Sequence, residues 1–346
     1  MMTASRRAAL SFVLVVALSM VGTAIAQKPG GTLRIYNSTN PPSASIHEEA
    51  TIAAVMPFTA IFNNLVQYDP LKPRNTFETI VPELAESWSL DDTRTKLTFK
   101  LRQGVKWHDG KPFTSADVQY TAMEMWKKHL NYGTTLQLYL DAVETPDAQT
   151  AVFRYSRPMP LDLLLRALAD LGYIAPKHVY EGTNVLENPA NTAPIGTGPF
   201  KFSKYERGQY VIAVRNENYW RKGFPYLDQI IWRFIPDPAA AVAAIESGQI
   251  QMSAEGALPL ADLDRLKKDP KFEVSSRGNE GNAVMNTIEF NFRRKEIADP
   301  RVREAILRAA ITPVDAGSIL QYPRLVGVRR TTDGHRARLV LGLVGA

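Results

Sequence analysis

The segment between residues 96 and 128 restricts the fold of this chain more than any other. Leu97, Phe99 and Leu101 alternate with polar residues, which predicts a half-buried β-strand. Asp109-Gly110 follows and supplies the positive-φ chemistry of a tight turn. The segment therefore begins as a strand that reverses direction.

A helix start comes directly after that turn. Thr114 and Asp117 are three residues apart, which predicts a capping box in which the aspartate replaces the usual glutamate. The helix carries an apolar face formed by Val118, Ala122, Met125 and Trp126. A strand, a turn, a short strand and a capped helix thus follow one another within a single short segment.

Strand and helix patterns alternate through the rest of the chain. Strands are predicted at residues 32–36, 151–155, 200–202, 210–215 and 229–235. Helices are predicted at residues 53–66, 161–169, 239–247 and 300–309. The fold class is therefore α/β or α+β, and the 346 residues allow about two domains. The patterns leave the strand order open.

The net charge of +6 is concentrated at the two ends of the chain. Arg6 and Arg7 lie near the start, five arginines lie beyond residue 320, and the basic and acidic residues between 27 and 320 balance. A nucleic-acid-binding protein needs a basic face, so the balanced charge disfavours nucleic-acid binding. The absence of cysteine excludes disulfides, thiolate metal sites, a cysteine nucleophile and a lipoprotein anchor.

Residues 1–26 have the three parts of a secretory signal peptide. The basic pair Arg6-Arg7 precedes an apolar run at residues 8–21, and Ala24-Ile25-Ala26 forms an A-x-A cleavage site. We therefore expect cleavage after Ala26 and a periplasmic protein that is not a lipoprotein. The alternative is a membrane anchor, for which the run is short. The sequence leaves open whether export uses the general secretory or the twin-arginine route.

Several motifs occur in a fixed order along the chain. They read VPELAESW at residues 81–88, LTFKLRQGVKWHDGKPFTSADV at 97–118, PIGTGPF at 194–200, NENYW at 216–220, PYLD at 225–228 and IESGQI at 245–250, with a looser match at 291–306. Together they resemble solute-binding protein family 5, the extracellular oligopeptide-, dipeptide- and nickel-binding components of ABC transporters. The resemblance implies an α/β, two-lobed fold of the periplasmic-binding-protein type II, with the solute held between the lobes.

The resemblance also implies a division of the chain into segments. Residues 27–52 plus 176–265 would form the first lobe, residues 53–175 a subdomain packed on it, and residues 266–311 the start of the second lobe. Beyond residue 311 the family pattern stops, and residues 312–346 form an atypical tail rich in arginine and glycine. We expect the second lobe to be largely missing, by truncation or a frameshift; the alternative is a natural short variant.

Ligand contacts are implied at three places. They are Asn37, Ser38 and Thr39 after the first strand, Tyr132 in the middle of the chain, and Asn282 and Met285 in the segment expected to begin the second lobe. Extended peptides are held by main-chain hydrogen bonds along a strand edge, with pockets for their side chains. The alternatives are a solvated polar loop for residues 37–39 and surface packing for Tyr132.

No catalytic residue, metal site or cofactor is predicted. The motif residues, among them Trp107 and His108, suit packing and turns rather than ligand binding. His47-Glu48-Glu49 could contact a metal ion, but a solvated loop is the favoured interpretation. No nucleophile elbow, zinc-protease, Walker A or dinucleotide-binding motif is present in the sequence.

The function implied by the resemblance is that of a monomeric periplasmic receptor. It would capture a peptide-like or other small solute and deliver it to the permease subunits of an ABC importer in the inner membrane. Two alternatives stay open: a truncated, non-functional fragment of such a receptor, and a periplasmic hydrolase.

Overall fold

The chain is described by a computed structural model. It describes residues 29–45, 47, 51, 55–129, 137, 139–253, 258–275, 286–291, 293–311, 329–333 and 336–341. The predicted signal peptide, residues 1–26, lies outside these residues. Two compact units are present: Met1–Gln67 with Ile80–Glu273, and Tyr68–Thr79 with Val274–Ala346. Within the described ranges, no helix is both long and apolar enough to cross a membrane.

The described residues form fourteen strands. The strands are β1 (Thr32–Asn37), β2 (Val66–Tyr68), β3 (Ile80–Pro82), β4 (Ala85–Leu90), β5 (Lys96–Leu101), β6 (Leu140–Asp147), β7 (Thr150–Tyr155), β8 (Phe200–Glu206), β9 (Tyr210–Arg215), β10 (Gln229–Phe234), β11 (Met252–Ser253), β12 (Asn286–Asn291), β13 (Arg329–Asp333) and β14 (Arg336–Leu341). The α-helices are α1 (Ser115–Tyr120), α2 (Lys127–His129), α3 (Leu161–Leu171), α4 (Lys177–Tyr180), α5 (Pro238–Glu246), α6 (Leu260–Leu266), α7 (Lys295–Ala298) and α8 (Pro300–Ile311). A π-helical stretch, Thr121–Trp126, joins α1 to α2, and short 3₁₀ helices occur at Met56–Ile61, Phe77–Thr79, Val185–Glu187 and Pro189–Asn191.

A five-stranded mixed sheet forms the centre of the first unit. Its strand order is β11-β1-β10-β9-β8, with β1 parallel to both β10 and β11. One core joins the sheet to the 3₁₀ helix at Met56–Ile61 and includes Phe58, Ile61, Val211 and Trp232. Because β1 and β10 run parallel, their carboxyl ends meet at one edge of the sheet, which is where open α/β sheets bind ligands.

A four-stranded antiparallel sheet of order β4-β5-β7-β6 contains the predicted strand at residues 97–101. Leu97, Phe99 and Leu101 are buried, as the alternation predicts. The capping box is present: Asp117 Oδ2 accepts a hydrogen bond from the Thr114 backbone N–H at 2.9 Å. The four apolar positions predicted for the following helix are all buried. The first strand, the turn and the capped helix are confirmed, whereas the predicted short strand is only an isolated bridge between Lys106 and Pro112.

The helix predicted at residues 53–66 is wrong. The 3₁₀ helix Met56–Ile61 occupies its centre, and β2 begins at Val66. Asn63 and Asn64, which would continue the helix, instead use their side chains in distant hydrogen bonds. Such tertiary bonds override a periodic apolar pattern.

In the second unit, β12, β14 and β13 form an antiparallel sheet, and α7 and α8 lie between β12 and β13 in the chain. β13 and β14 fall within the tail at residues 312–346, whose remaining residues are outside those described. The five-stranded sheet uses strands from the segments predicted as the first lobe, and the four-stranded sheet uses strands from the predicted subdomain. The segment boundaries themselves stay predictions.

Candidate functional site

The loop after β1 lies at the carboxyl-end edge of the five-stranded sheet. Asn37 is fully buried, and its Nδ2 donates to the Thr39 carbonyl at 2.7 Å. Ser38 is half-buried and Thr39 exposed, and their hydroxyls lie 3.3 Å apart. Asn37 therefore stabilises the loop from inside, and the two hydroxyls are among its accessible polar groups. A ligand-binding role for these three residues stays a prediction.

The same loop is fastened to the body of the unit at several points. Asn40 Oδ1 accepts hydrogen bonds from the Tyr205 hydroxyl at 3.1 Å and from the Gly208 N–H at 2.7 Å. Further along, the Ala44 N–H donates to the Asn191 carbonyl at 2.7 Å. These contacts hold the loop in one conformation at the sheet edge.

His47 corrects the expectation of a solvated loop. Its side chain is 1% exposed and makes edge-on ring contacts with Phe62 and Tyr180, at centroid distances of 5.3 Å and 6.2 Å. Burial lowers its pKa from the usual 6.5 to about 4, so the ring is neutral near pH 7. Glu48 and Glu49 lie outside the described residues. Within the residues that are described, no group of three potential metal ligands occurs.

The other predicted ligand residues, Tyr132, Asn282 and Met285, also lie outside the described part of the chain. Tyr132 follows the end of α2, and Met285 immediately precedes β12. The roles proposed for these three residues therefore stay predictions.

The family-like motifs converge on one buried carboxylate, that of Glu83. Glu83 Oε1 accepts a hydrogen bond from Asn63 Nδ2 at 2.6 Å, and Oε2 accepts one from the Asn64 N–H at 2.7 Å. Desolvation raises the pKa of Glu83 from 4.5 to about 7, although both hydrogen bonds act to lower it. Arg102 Nε donates to the Glu83 carbonyl at 2.5 Å.

Asn63 connects this carboxylate to two further motifs. Its Oδ1 accepts hydrogen bonds from Thr197 Oγ1 at 3.1 Å and from Trp220 Nε1 at 3.3 Å. We call Asn63, Glu83, Thr197 and Trp220 the motif network. The motifs at residues 81–88, 194–200 and 216–220 thus share one buried amide, and these residues have structural roles here.

The GTG bend at residues 196–198 is held by His108 and by the backbone of Ile61. The Gly196 N–H donates to His108 Nδ1 at 3.2 Å, and His108 Nε2 lies 3.0 Å from the Gly198 carbonyl. This pairing requires the tautomer with the proton on Nε2, and burial lowers the pKa of His108 to about 4. A Cβ at Gly196 would lie 1.8 Å from the Ile61 carbonyl oxygen, so only glycine fits.

Trp107 and His108 therefore have the packing roles predicted for them. Trp107 is 2% exposed and makes edge contacts with the rings of Phe113 and His178. His178 Nε2 lies 2.7 Å from Asp109 Oδ2, which ties the predicted turn to α4. Each motif was identified from sequence, but their convergence was missed, because no local pattern links segments so far apart.

A cavity of about 710 Å³ lies on the first unit and was not predicted from sequence. Its walls carry the ion pairs Glu124–Lys128 and Lys177–Glu181, the second at 3.3 Å. The apolar side chains lining it include Met123, Val143 and Val185. Its volume is in the range of small-molecule sites, but its carboxylates are already paired.

The comparisons with known proteins agree on one family. The sequence pattern described as bacterial extracellular solute-binding proteins, family 5 Middle, matches residues 79–310. A putative ABC transporter peptide-binding protein of Brucella melitensis is 35% identical over 257 residues, covering 72% of this chain and 45% of the relative. The nickel-binding periplasmic protein of Escherichia coli is 29% identical over 222 residues, 62% of this chain and 41% of that protein.

Solved structures of binding proteins share the fold of this chain. The oligopeptide-binding protein AppA of Bacillus subtilis, in complex with a nonapeptide, matches with a TM-score of 0.67 at 24% identity, covering 88% of this chain and 58% of AppA. The solute-binding protein MoaA of A. tumefaciens R10, in complex with mannopinic acid, matches with a TM-score of 0.68 at 25% identity, covering 88% and 60%. The chain spans less than half the length of the curated relatives it matches.

Proposed function

The chain belongs to family 5 of the bacterial extracellular solute-binding proteins, and on that premise we propose that it is the solute-capturing component of an ABC importer. It takes a peptide-like or other small solute in the periplasm and passes it to the membrane permease. The observation that carries this proposal is the family match over residues 79–310. A periplasmic location agrees with that of relatives, and the cleavable signal at residues 1–26 is part of the proposal.

The loop after β1 is where this chain would contact the solute. It lies where the carboxyl ends of β1 and β10 meet, and Ser38 and Thr39 offer hydroxyls that can donate or accept hydrogen bonds. Its tethers at Asn40 and Ala44 fix these hydroxyls before a ligand arrives. Preorganisation of this kind lowers the entropic cost of binding.

The protein makes and breaks no bond in this proposal. The relatives it matches are binding proteins of transporters, so the hydrolase alternative has no support from them. Two results separate the remaining possibilities. A saturable binding heat supports the receptor, whereas a folded chain without such heat supports the non-functional fragment.

The test is isothermal titration calorimetry on residues 27–346, with defined di- and tripeptides and with mannopinic acid as probes. We expect saturable binding of at least one probe. Ser38→Ala with Thr39→Ala should weaken it about tenfold, since two hydrogen bonds of about 0.5–1.5 kcal/mol each are lost. Ser156→Ala, which removes an exposed hydroxyl elsewhere on the unit, is the matched control. Turnover of ester or glycoside substrates would overturn the proposal.

A further inference from the structure

The cavity on the first unit lies among residues 119–129, 142–143 and 177–185, and the proposed function gives it no role. Its volume of about 710 Å³ is within the range of small-molecule sites. The residues that line it belong neither to the motif network nor to the loop after β1. A ligand held in this cavity would therefore be bound apart from the solute.

The walls of the cavity are connected by hydrogen bonds. Gln119 Nε2 donates to the Val143 carbonyl at 2.7 Å, which ties α1 to β6. Asn188 Nδ2 donates to the Val179 carbonyl at 3.0 Å and to Thr183 Oγ1 at 2.9 Å, which holds the segment after α4. The walls are thus fixed before a ligand arrives, and binding would not have to order them.

Charges of both signs line the cavity in pairs. Glu124 is paired with Lys128, and Lys177 Nζ lies 3.3 Å from Glu181 Oε1. Desolvation raises the pKa of the Tyr120 hydroxyl, and the charges of Glu124 and Glu181 raise it further, so both carboxylates act on one group. Ion pairs as exposed as these contribute little to stability. The charged groups of a ligand can therefore replace either partner of a pair at small cost.

The cavity also offers unused polar groups and an apolar surface. Among the described residues, the Tyr120 hydroxyl and Asn184 Nδ2 have no hydrogen-bond partner within the protein. Val143 and Val185 are buried and Met123 is half-buried, and all three side chains line the cavity. A methionine thioether beside two valines favours an apolar ligand group, and an aromatic ring in particular.

We propose that the cavity binds the zwitterion of an α-amino acid with a large apolar side chain, such as phenylalanine. Glu124 and Glu181 would bind its ammonium group, and Lys128 and Lys177 its carboxylate. The side chain would lie against Met123. An anion alone would meet two carboxylates and a cation alone two lysines, whereas a zwitterion complements both. This site goes beyond the proposed function, because binding in it requires neither the second lobe nor a permease.

The first test is NMR on residues 27–346 with ¹³C-methyl-labelled methionine, titrated with L-phenylalanine. The Met123 methyl signal, assigned with Met123→Leu, should shift with a Kd of about 1 mM or tighter. The signal of Met252, which is 47% exposed outside the cavity, should not shift. No shift of the Met123 signal at about 10 mM phenylalanine would overturn the proposal.

Two analogues test the requirement for both charges. 3-Phenylpropanoate lacks the ammonium group and L-phenylalaninamide lacks the carboxylate. Each should bind about tenfold more weakly than phenylalanine or worse, because each loses a hydrogen-bonded charge. Equal affinity for all three compounds would contradict a zwitterion site.

A pair of substitutions assigns the ammonium group to its carboxylates. Glu124→Gln with Glu181→Gln should weaken phenylalanine binding about tenfold and leave 3-phenylpropanoate no weaker, so that the preference between them disappears. The matched control is Glu144→Gln, which removes the carboxylate of an ion pair with Arg154 outside the cavity. A preference that persists without both carboxylates would overturn the assignment.

A last variant separates this cavity from the solute-binding loop. Ser38→Ala with Thr39→Ala should leave the Met123 shift and its Kd unchanged, because neither residue lines the cavity. A shift abolished by that variant would place phenylalanine at the loop after β1 and overturn the proposal. Failure of the peptide titrations described above would count against the proposed function alone.

Discussion

The motif network and the loop after β1 differ in how completely their polar groups are used within the protein. In the network, the side-chain polar groups of Asn63 and Glu83 form hydrogen bonds with other parts of the chain. In the loop, the hydroxyls of Ser38 and Thr39 contact only each other among the bonds described. The motif residues of the network thus stabilise the fold, whereas the two loop hydroxyls keep hydrogen-bonding capacity that the described contacts do not use.

The strongest way to break this comparison is Asn63→Ala. The change leaves a buried carboxylate, the Thr197 hydroxyl and the Trp220 N–H without their shared partner. We expect the free energy of unfolding to fall by about 4 kcal/mol, since each unsatisfied buried group costs about 1–3 kcal/mol. Urea unfolding measures it, with exposed Asn218→Ala as the control. A loss near that of the control would show that the network does not support the fold.

The pH dependence of Glu83 gives the next largest effect. Its folded pKa of about 7 lies above its usual 4.5, so the folded state retains a proton that the unfolded state releases. Stability from this group is complete below pH 4.5 and is lost as pH rises through 7, by about 3 kcal/mol. Glu83→Gln should remove that loss. The measurement is the difference in unfolding free energy between wild type and variant from pH 4.5 to 8; a difference independent of pH would contradict the expectation.

His47, which lies beyond the loop, should respond in the opposite direction. Its folded pKa of about 4 lies below its usual 6.5, so protonation favours the unfolded state. Stability is therefore lost as pH falls from 6.5 through 4, by about 3 kcal/mol. His47→Phe should reduce this acid limb in urea unfolding between pH 7 and 4, and the remainder includes the loss from His108, whose pKa burial also lowers to about 4. His129→Phe, at a half-buried position, is the control; an acid limb unchanged by His47→Phe would show that another group causes it.

The smallest expected change in unfolding free energy concerns the loop after β1. Ser38→Ala with Thr39→Ala removes hydroxyls that, among the described residues, bond only to each other, so we expect a change in unfolding free energy within about 0.5 kcal/mol. The same urea experiment measures it. A fall in unfolding free energy of about 2 kcal/mol or more, roughly that of a core substitution, would show that the loop hydroxyls stabilise the fold.

Local chemistry was predictable from sequence where neighbouring residues decide it. The alternation at Leu97, Phe99 and Leu101 gave a strand, and Thr114 with Asp117 gave a capped helix, as the structure has them. These elements depend on spacings of two to four residues, which a sequence displays directly.

Prediction failed where a distant partner decides the outcome. The helix expected at residues 53–66 is interrupted because the Asn64 side chain donates to the Ala169 carbonyl, 105 residues away. His47 is buried because the rings of Phe62 and Tyr180 pack against it, although Glu48 and Glu49 follow it in the sequence. No spacing rule reports such contacts, and they decide both the shape of the network and the position of the loop.

The glycine bend beside Ile61 has one further consequence. Two main chains meet there with no side chain between them, and an added methyl group at Gly198 would lie 2.5 Å from the Ile61 carbonyl carbon. The distance between two packed segments normally changes when the side chains between them are replaced by larger or smaller ones. Here no side chain lies between the segments, so the bend fixes its distance from the 3₁₀ helix even when surrounding side chains are substituted.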